Sequence, residues 1–359
     1  MKINHNYFSE LAFNLAENNL GKTKKNPSVG CIIVKNNSVI SSGITSINGR
    51  PHAEYNALNH NLNFNGSNMY VTLEPCTHYG LTPPCAEIIK KKKIKKVYYS
   101  FNDPDPRINN KTNNHFKKVN KSKKIKSKFA SFYESYFYNK KNKFPLIDCK
   151  LAVSKDYFTI NKKSKWITNI RSRQVKHLIR SKYDCIISTS ETINSDDALL
   201  NCRIHGLDNN KPDLIIIDRN LKLKKKLKLF SFSKKRKIYL FTCSKNKKRW
   251  TFFQKKNIKI LSLKKLETRD DFDSLFKKIF QLGKGRVLIE TGLVFLNKLL
   301  KFNFLNNLYL FKTNYNLGLK GFNKANSIFI KKLKLKKNIN VNLETDKLFK
   351  IRIKKCLTE

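Results

Sequence analysis

Two segments constrain this chain more than any other feature: His52-Ala-Glu54 and Thr72-Leu-Glu-Pro-Cys-Thr-His-Tyr-Gly-Leu-Thr-Pro-Pro-Cys85. The imidazole of His52 and the thiols of Cys76 and Cys85 can fill three corners of a tetrahedral zinc site. The fourth corner is then left to water, as in a catalytic rather than a structural zinc. Any fold of this chain must therefore bring two distant segments to one point. Glu54 follows the histidine by two residues, close enough to handle the proton of that water without being a ligand. Both segments open predicted helices, where unpaired backbone N–H groups and the macrodipole favour anionic ligands and lower a thiol pKa. Singly, a histidine before a helix is more often a surface or capping residue, and two such cysteines are more often unrelated core thiols. Their joint order, each after a strand, is what points to zinc.

The surrounding pattern is α/β. Phe8, Leu11, Ala12 and Leu15 give helical spacing over residues 6–19. Strands are predicted at Val29–Val34 and Val39–Ser42, joined by a turn at Lys35-Asn-Asn37. Helix Ala53–Asn61, strand Asn68–Leu73, helix Cys85–Lys92 and strand Lys96–Ser100 follow, an order that suggests a sheet covered by helices. Residues 109–143 are polar, lysine-rich and weakly patterned, and a domain boundary is placed at their end, giving domains 1–143 and 144–359. The second part starts with a strand-like run at Phe144–Val153 and alternates again. Helix Arg171–Lys182 is followed by strands Cys185–Thr189, Asp213–Asp218, Lys237–Cys243 and Arg286–Ile289. The last of these leads through Glu290-Thr-Gly292 into helix Leu293–Lys301.

The formal charge of +50 would attract phosphates through counterion release. The excess is mostly lysine, however, spread along the whole chain with abundant Asn, Ile and Phe. The runs 90–96, 117–128 and 222–228 lack the ordered aromatic interleaving of a base-stacking groove. A solvated basic surface with nonspecific polyanion affinity is the expectation, with no specific nucleic-acid partner. No run approaches the roughly 20 apolar residues of a membrane span, and eight cysteines without regular spacing fit a reducing compartment. A cytoplasmic protein is expected.

The pattern His-x-Glu followed by Pro-Cys-x-x-Cys marks zinc nucleobase deaminases, where hydroxide attacks an amino-bearing ring carbon and the glutamate shuttles protons. Here the second half is stretched to Pro75-Cys76-x8-Cys85. With Asn26-Pro-Ser-Val-Gly-Cys-Ile-Ile-Val34 and Asn102-Asp-Pro-Asp-Pro106, that stretched segment resembles the bifunctional deaminase–reductase family of riboflavin biosynthesis, over nearly the full length. The resemblance implies a cytidine-deaminase-like αβα domain followed by a dihydrofolate-reductase-like α/β domain. The first would remove the 2-amino group of 2,5-diamino-6-ribosylamino-4(3H)-pyrimidinone 5-phosphate, with Asn26, His78 and Asp103 near the substrate. The second would use NADPH to reduce ribosyl to ribityl. Its matching segments are Lys150-Leu-Ala-Val-Ser154 with Asp156, Ser164-Lys-Trp-Ile-Thr168, Arg180, Ser190-Glu-Thr192, the run Asp196 to Arg203, and Glu290-Thr-Gly292. By resemblance, Ser164, Arg180, Leu200, Arg203 and Glu290 fall to the substrate, and Ala152, Trp166, Thr192, Asp196 and Gly292 to the cofactor. Arg180 and Arg203 could grip a phosphate with their planar forks, and Gly292 could let a pyrophosphate approach a helix N-terminus.

Where the family has His, Gly, Pro and Gly, this chain has Thr45, Tyr157, Ala198 and Thr291, and Ile108-Asn-Asn-Lys-Thr112 replaces a glycine-rich turn. Two competing readings follow: a deaminase whose drifted second domain is only a scaffold, and a nucleic-acid-binding protein such as a tRNA deaminase. Homo-oligomerisation through the reductase half is also expected from the resemblance.

Overall fold

The computed structural model describes residues 4–108, 118–119, 123–207, 212–263, 265–335 and 338–353. The chain divides into two compact units, residues 1–143 and 144–359. The replaced turn therefore lies outside the described residues from position 109 onward.

The first unit opens with α1 (His5–Glu17), capped by the Asn4 side chain, which accepts from the Tyr7 N–H. Strands β1 (Gly30–Lys35) and β2 (Ser38–Ile44) form a hairpin whose Asn36 and Asn37 both take positive φ, the geometry of a type I′ turn. Then come α2 (Ala53–Leu58), β3 (Asn68–Leu73), α3 (Cys85–Lys91) and β4 (Lys96–Phe101). After them lie β5 (Lys118–Val119), α4 (Lys123–Lys128) and α5 (Glu134–Asn142). The sheet runs β2-β1-β3-β4-β5, antiparallel across β2-β1-β3 and parallel from β3 onward.

Three details differ from the sequence pattern. Helix α2 ends at Leu58 rather than Asn61, because Leu58 is its last buried residue and the next apolar one, Leu62, is 48% exposed. Strand β2 continues through Gly43, whose missing side chain lets α2 lie on it: a Cβ there would stand 2.2 Å from the Ala53 carbonyl oxygen. The stretch before the boundary is not featureless either. Phe132, Tyr133 and Tyr136 are buried, and the Phe129 ring stacks on Phe13 at 4.1 Å between centroids.

The second unit is built on a larger sheet. In chain order its elements are β6 (Leu146–Val153), β7 (Ile160–Asn161), α6 (Ile170–Ser181), β8 (Cys185–Thr189), α7 (Ser190–Asp196) and β9 (Asp213–Ile217). Next are β10 (Ile238–Thr242), α8 (Lys247–Lys255), β11 (Ile258–Ser262), α9 (Arg269–Gln281), β12 (Arg286–Ile289) and α10 (Leu293–Lys301). The last are β13 (Asn307–Lys312), β14 (Gly321–Phe322), α11 (Ile328–Lys332) and β15 (Lys347–Arg352). The main sheet is ordered β11-β10-β9-β8-β12-β6-β13-β15, parallel except for β15, while β7 and β14 pair separately. Its strands read as continuous apolar runs, such as Leu214–Ile217 and Val287–Ile289, because helices cover both faces. Helix α9 carries a full capping box, with Thr268 accepting from the Asp271 N–H and Asp271 accepting in return.

Candidate active sites

In the first unit the strand directions gather every candidate at one sheet edge. The carboxyl ends of β2, β3 and β4 and the amino end of β1 share that edge, because β1 runs against its neighbours. Asn26, the run into His52, Cys76 and Asp103 all leave from it. Residue 49 must be glycine there: its φ is +92°, and a Cβ would meet the Thr23 carbonyl oxygen at 2.6 Å. Asn26 donates to the Gly49 carbonyl at 2.8 Å and so fixes the approach to His52.

His52 occupies the N-cap position of α2, yet its side chain makes no capping bond. Its Nδ1 lies 3.6 Å from the Cys76 sulfur and 3.5 Å from that of Cys85, and all three ligand atoms lie within 4.8 Å of one another. With a Zn–S bond of about 2.3 Å and a Zn–N bond of about 2.05 Å, the S···N edge of a tetrahedron is about 3.6 Å. The donor set fits zinc in kind and in spacing. Cys76 is also poised for it as a thiolate. Hydrogen bonding from the Cys85 thiol draws Cys76 down to about 4 and raises Cys85 in turn, and the Cys85 backbone N–H, 3.2 Å from the Cys76 sulfur, adds to the lowering of Cys76. Hydrogen bonding to Cys76 raises His52. Glu54, in the first turn of α2 and 4% exposed, is pushed up by burial to about 7. It is thus an acid that can hold or release a proton near neutrality.

Two further expected residues flank this cluster in sequence and along the edge. The His78 Nδ1 is buried with no hydrogen-bond partner among the described residues, an acceptor or donor left for a ligand. Asp103 is buried, accepts from the Tyr136 hydroxyl at 3.0 Å and from the Asp105 N–H at 2.8 Å, and is raised by burial to about 6. Thr45, which stands where the family has histidine, is buried and accepts from the Val29 N–H at 3.0 Å. Its role is to close the sheet edge.

In the second unit the candidates collect at the carboxyl ends of β6, β8 and β12. There β12, late in the chain, is inserted between two early strands, a topological switch of the kind where open α/β sheets bind ligands. Glu290 leaves β12 and receives a two-pronged bond from Arg180 of α6, at 2.5 and 2.8 Å. The remaining arm of Arg180 donates to the Asn201 carbonyl at 3.0 Å. The fork expected to grip a phosphate is therefore largely held by Glu290, which burial would raise but the Arg180 charge holds down at about 2. Arg203 donates to the Asn201 side chain at 2.7 Å. Leu200 sits at φ +48°, and its carbonyl accepts from Arg236 at 2.6 Å. Thr192 lies in the first turn of α7, its N–H on the Thr189 hydroxyl, and the Asp196 carbonyl accepts from Lys165. Ser164 accepts from the Trp166 N–H, and the Trp166 ring is 47% exposed. Ala152 is half-buried on β6. Gly292 caps α10, and a Cβ added there would meet nothing within 4 Å. That opening at a helix N-terminus suits a cofactor phosphate.

Residues 2–101 match the cytidine and deoxycytidylate deaminase zinc-binding region, and residues 145–343 match the RibD C-terminal domain. The riboflavin biosynthesis protein RibD of Buchnera aphidicola is 30% identical over 85% of this chain and 86% of its own length. The chain belongs to the RibD family. Aquifex aeolicus RibD is 29% identical over 86% of each chain. The structure of Acinetobacter baumannii RibD superposes with a TM-score of 0.79 at 26% identity, covering 97% of this chain and 98% of that one. Like other RibD proteins, it is a bifunctional deaminase and reductase of riboflavin biosynthesis that uses zinc and NADPH.

The fold places the RibD departures without disruption. Tyr157 takes φ +66°, a conformation suited to the glycine it replaces, and its ring packs on the core with the Lys312 ammonium 4.0 Å from its centroid. Ala198 packs against the second hydrophobic cluster of its unit, and the Thr291 hydroxyl donates to the Gly292 carbonyl. Sequence reasoning missed Arg236, which clamps the carbonyls of Leu199, Leu200 and Pro212 and so holds the Leu200 loop. It also missed Lys176 and His177 beside Arg180. No local signal separates these from the many surface lysines and arginines. No helix among the described residues is long and apolar enough to cross a membrane.

Proposed function

We propose that the first unit hydrolyses the 2-amino group of 2,5-diamino-6-ribosylamino-4(3H)-pyrimidinone 5-phosphate and that the second reduces the ribosyl group of the product to ribityl. The observation that carries the reading is the triangle of His52, Cys76 and Cys85 at tetrahedral spacing, with the buried Glu54 acid beside it. These three residues would hold zinc, which when bound supplies Lewis-acid activation of a water. Glu54 would take one proton from that water and pass it to the ring nitrogen, then take the proton of the newly added hydroxyl and pass it to the amino group, which leaves as ammonia as the ring carbonyl forms. Asn26, His78 and Asp103 orient the pyrimidine, and the buried His78 Nδ1, without a hydrogen-bond partner among the described residues, supports a substrate hydrogen bond there.

In the second unit Ser164, Arg180, Leu200, Arg203 and Glu290 hold the phosphorylated sugar. Ala152, Trp166, Thr192, Asp196 and Gly292 hold NADPH, which supplies hydride. The open cradle at Gly292 supports the cofactor half. The free thiols of all seven described cysteines accord with a cytoplasmic enzyme. The edge strands β11 and β15 offer a route to homo-oligomers. Zinc-loaded protein should be incubated with the diaminopyrimidinone with and without NADPH and followed by mass spectrometry. A deaminated ribityl product only in the presence of NADPH is expected. A deaminated ribosyl product in both tubes would reduce the second unit to a scaffold, and unchanged substrate in both would overturn the assignment.

A further inference from the structure

Lys176 is a buried basic side chain that neither the pairing of Arg180 nor the packing of α6 accounts for. It is 9% exposed and, among the described residues, has neither a carboxylate at ion-pair distance nor a hydrogen bond. It lies one helical turn before Arg180, on the same face of α6. Its ammonium stands 5.6 Å from the centroid of the exposed Trp166 ring, which Arg173 also faces at 4.7 Å. Lys150, Arg180, Arg203 and Glu290 are the charges close enough to act on it. Glu290 is the carboxylate that acts on Lys176, but its two oxygens are taken up by Arg180, so among the described residues Lys176 stands beside Lys150 and Arg203 with no carboxylate at ion-pair distance. An uncompensated buried charge is costly, and a dianionic ligand would remove the cost.

We propose that Lys176 completes the phosphate-binding site of the reductase unit, gripping the 5-phosphate of the pyrimidine substrate together with Arg203 and the free N–H groups of Arg180. The inference rests on the substrate-site reading of Arg180 and Arg203 given above. Burial first and then the Arg180 and Lys150 charges hold the Lys176 ammonium down at about 6. Burial and the Arg180 charge hold Lys150 down as well, and the Lys176→Met variant separates the two amines. His177 is held down to about 4, chiefly by burial, and Glu290 is held by Arg180. Arrival of phosphate therefore draws a proton onto Lys176 near pH 7.

The test is calorimetric titration of the full-length chain with ribose 5-phosphate, and separately with NADP+, in two buffers of different ionisation enthalpy. The variants are Lys176→Met, of similar length, and Lys176→Arg, which keeps the charge. Met at this position should bind ribose 5-phosphate about tenfold more weakly or worse and lose the proton uptake. NADP+ affinity should stay unchanged, and the melting temperature should rise, because a buried amine with no hydrogen bond has been replaced by apolar packing. Arg should retain most of the affinity without the uptake. Unchanged ribose 5-phosphate affinity in the Met variant would overturn the inference, as would a loss confined to NADP+, which would assign Lys176 to the cofactor phosphate. Failure of the unaltered protein to bind ribose 5-phosphate would instead sink the substrate-site reading beneath it.

Discussion

Replacing Gly43 by alanine tests whether the seat of α2 on β2 is what places the zinc ligands. The added Cβ would stand 2.2 Å from the Ala53 carbonyl oxygen, 2.4 Å from the Ala57 nitrogen and 3.0 Å from the Ala57 Cα. All three are backbone atoms, so no side chain can swing away, and α2 must lift by about 1 Å to restore ordinary contact. Overpacking against immovable neighbours costs about 3 kcal/mol, a fall of about 8 °C in the melting temperature of a unit this size. His52 and Glu54 begin that helix, and metal sites tolerate only about 0.2 Å of ligand displacement. Zinc content should drop, and the deaminase rate should fall about a hundredfold. The reductase rate, belonging to a unit with its own core, should stay within about twofold of the parent. The assays are metal analysis of the purified protein, a thermal melt and the two rates measured separately. Full zinc occupancy with an unshifted melt and normal deamination would refute the reasoning.

Glu54→Gln should retain zinc while lowering deamination by about a thousandfold, since the ligands are untouched and only the proton carrier is gone; loss of metal in this variant would give Glu54 a different part. Removal of zinc by a chelator should abolish deamination and leave reduction of the deaminated compound intact, as measured by NADPH oxidation. Glu290 gives a pH prediction. Its folded pKa of about 2 lies below its ordinary 4.5, so its contribution is present above 4.5 and is lost as the pH falls toward 2. The gap amounts to about 3 kcal/mol. In Glu290→Gln that part of the acid loss should vanish from denaturant unfolding, while stability at neutral pH drops by about 3 kcal/mol because Arg180 is left unpaired. An unaltered acid slope would count against the pair. Thr268→Ala should cost about 1 kcal/mol through loss of the capping box on α9, readable in the same unfolding curves.

The zinc triad was legible because its chemistry is carried by residue type and order: His52, Glu54, Cys76 and Cys85 need only strands ending at one edge to meet. The central strands were legible as apolar runs. Helix α9 carries the same kind of signal, with Thr268 three residues before Asp271 and Phe272, Leu275, Phe276 and Ile279 along one face, although it is not among the elements predicted above. Helices α4 and α5 were not legible in that way. They bury Ile125 and Tyr136 amid lysines and asparagines, and aromatic contacts from elsewhere in the unit hold their neighbourhood. The second site was harder still. Arg180 looked like a phosphate clamp, yet Glu290, 110 positions away, takes its fork. Lys176 and Arg236 resemble the surface lysines and arginines around them, and only their burial distinguishes them. Pairings across such distances leave no local trace.

The place of β12 in the sheet bears on how the chain is made. Strand β6 and strand β8 each pair with β12 and not with one another. Until residues 286–289 have been synthesised, the middle of the second sheet is a gap flanked by two open apolar edges. A chain ending anywhere between residue 262 and residue 285 would carry every strand on the β8 side and still have no centre to close on. The second unit must therefore wait for long-range pairing, which is slow and exposes unpaired edges meanwhile. The first unit's four main strands are complete by residue 101 and can begin to order while the rest of the chain is still on the ribosome.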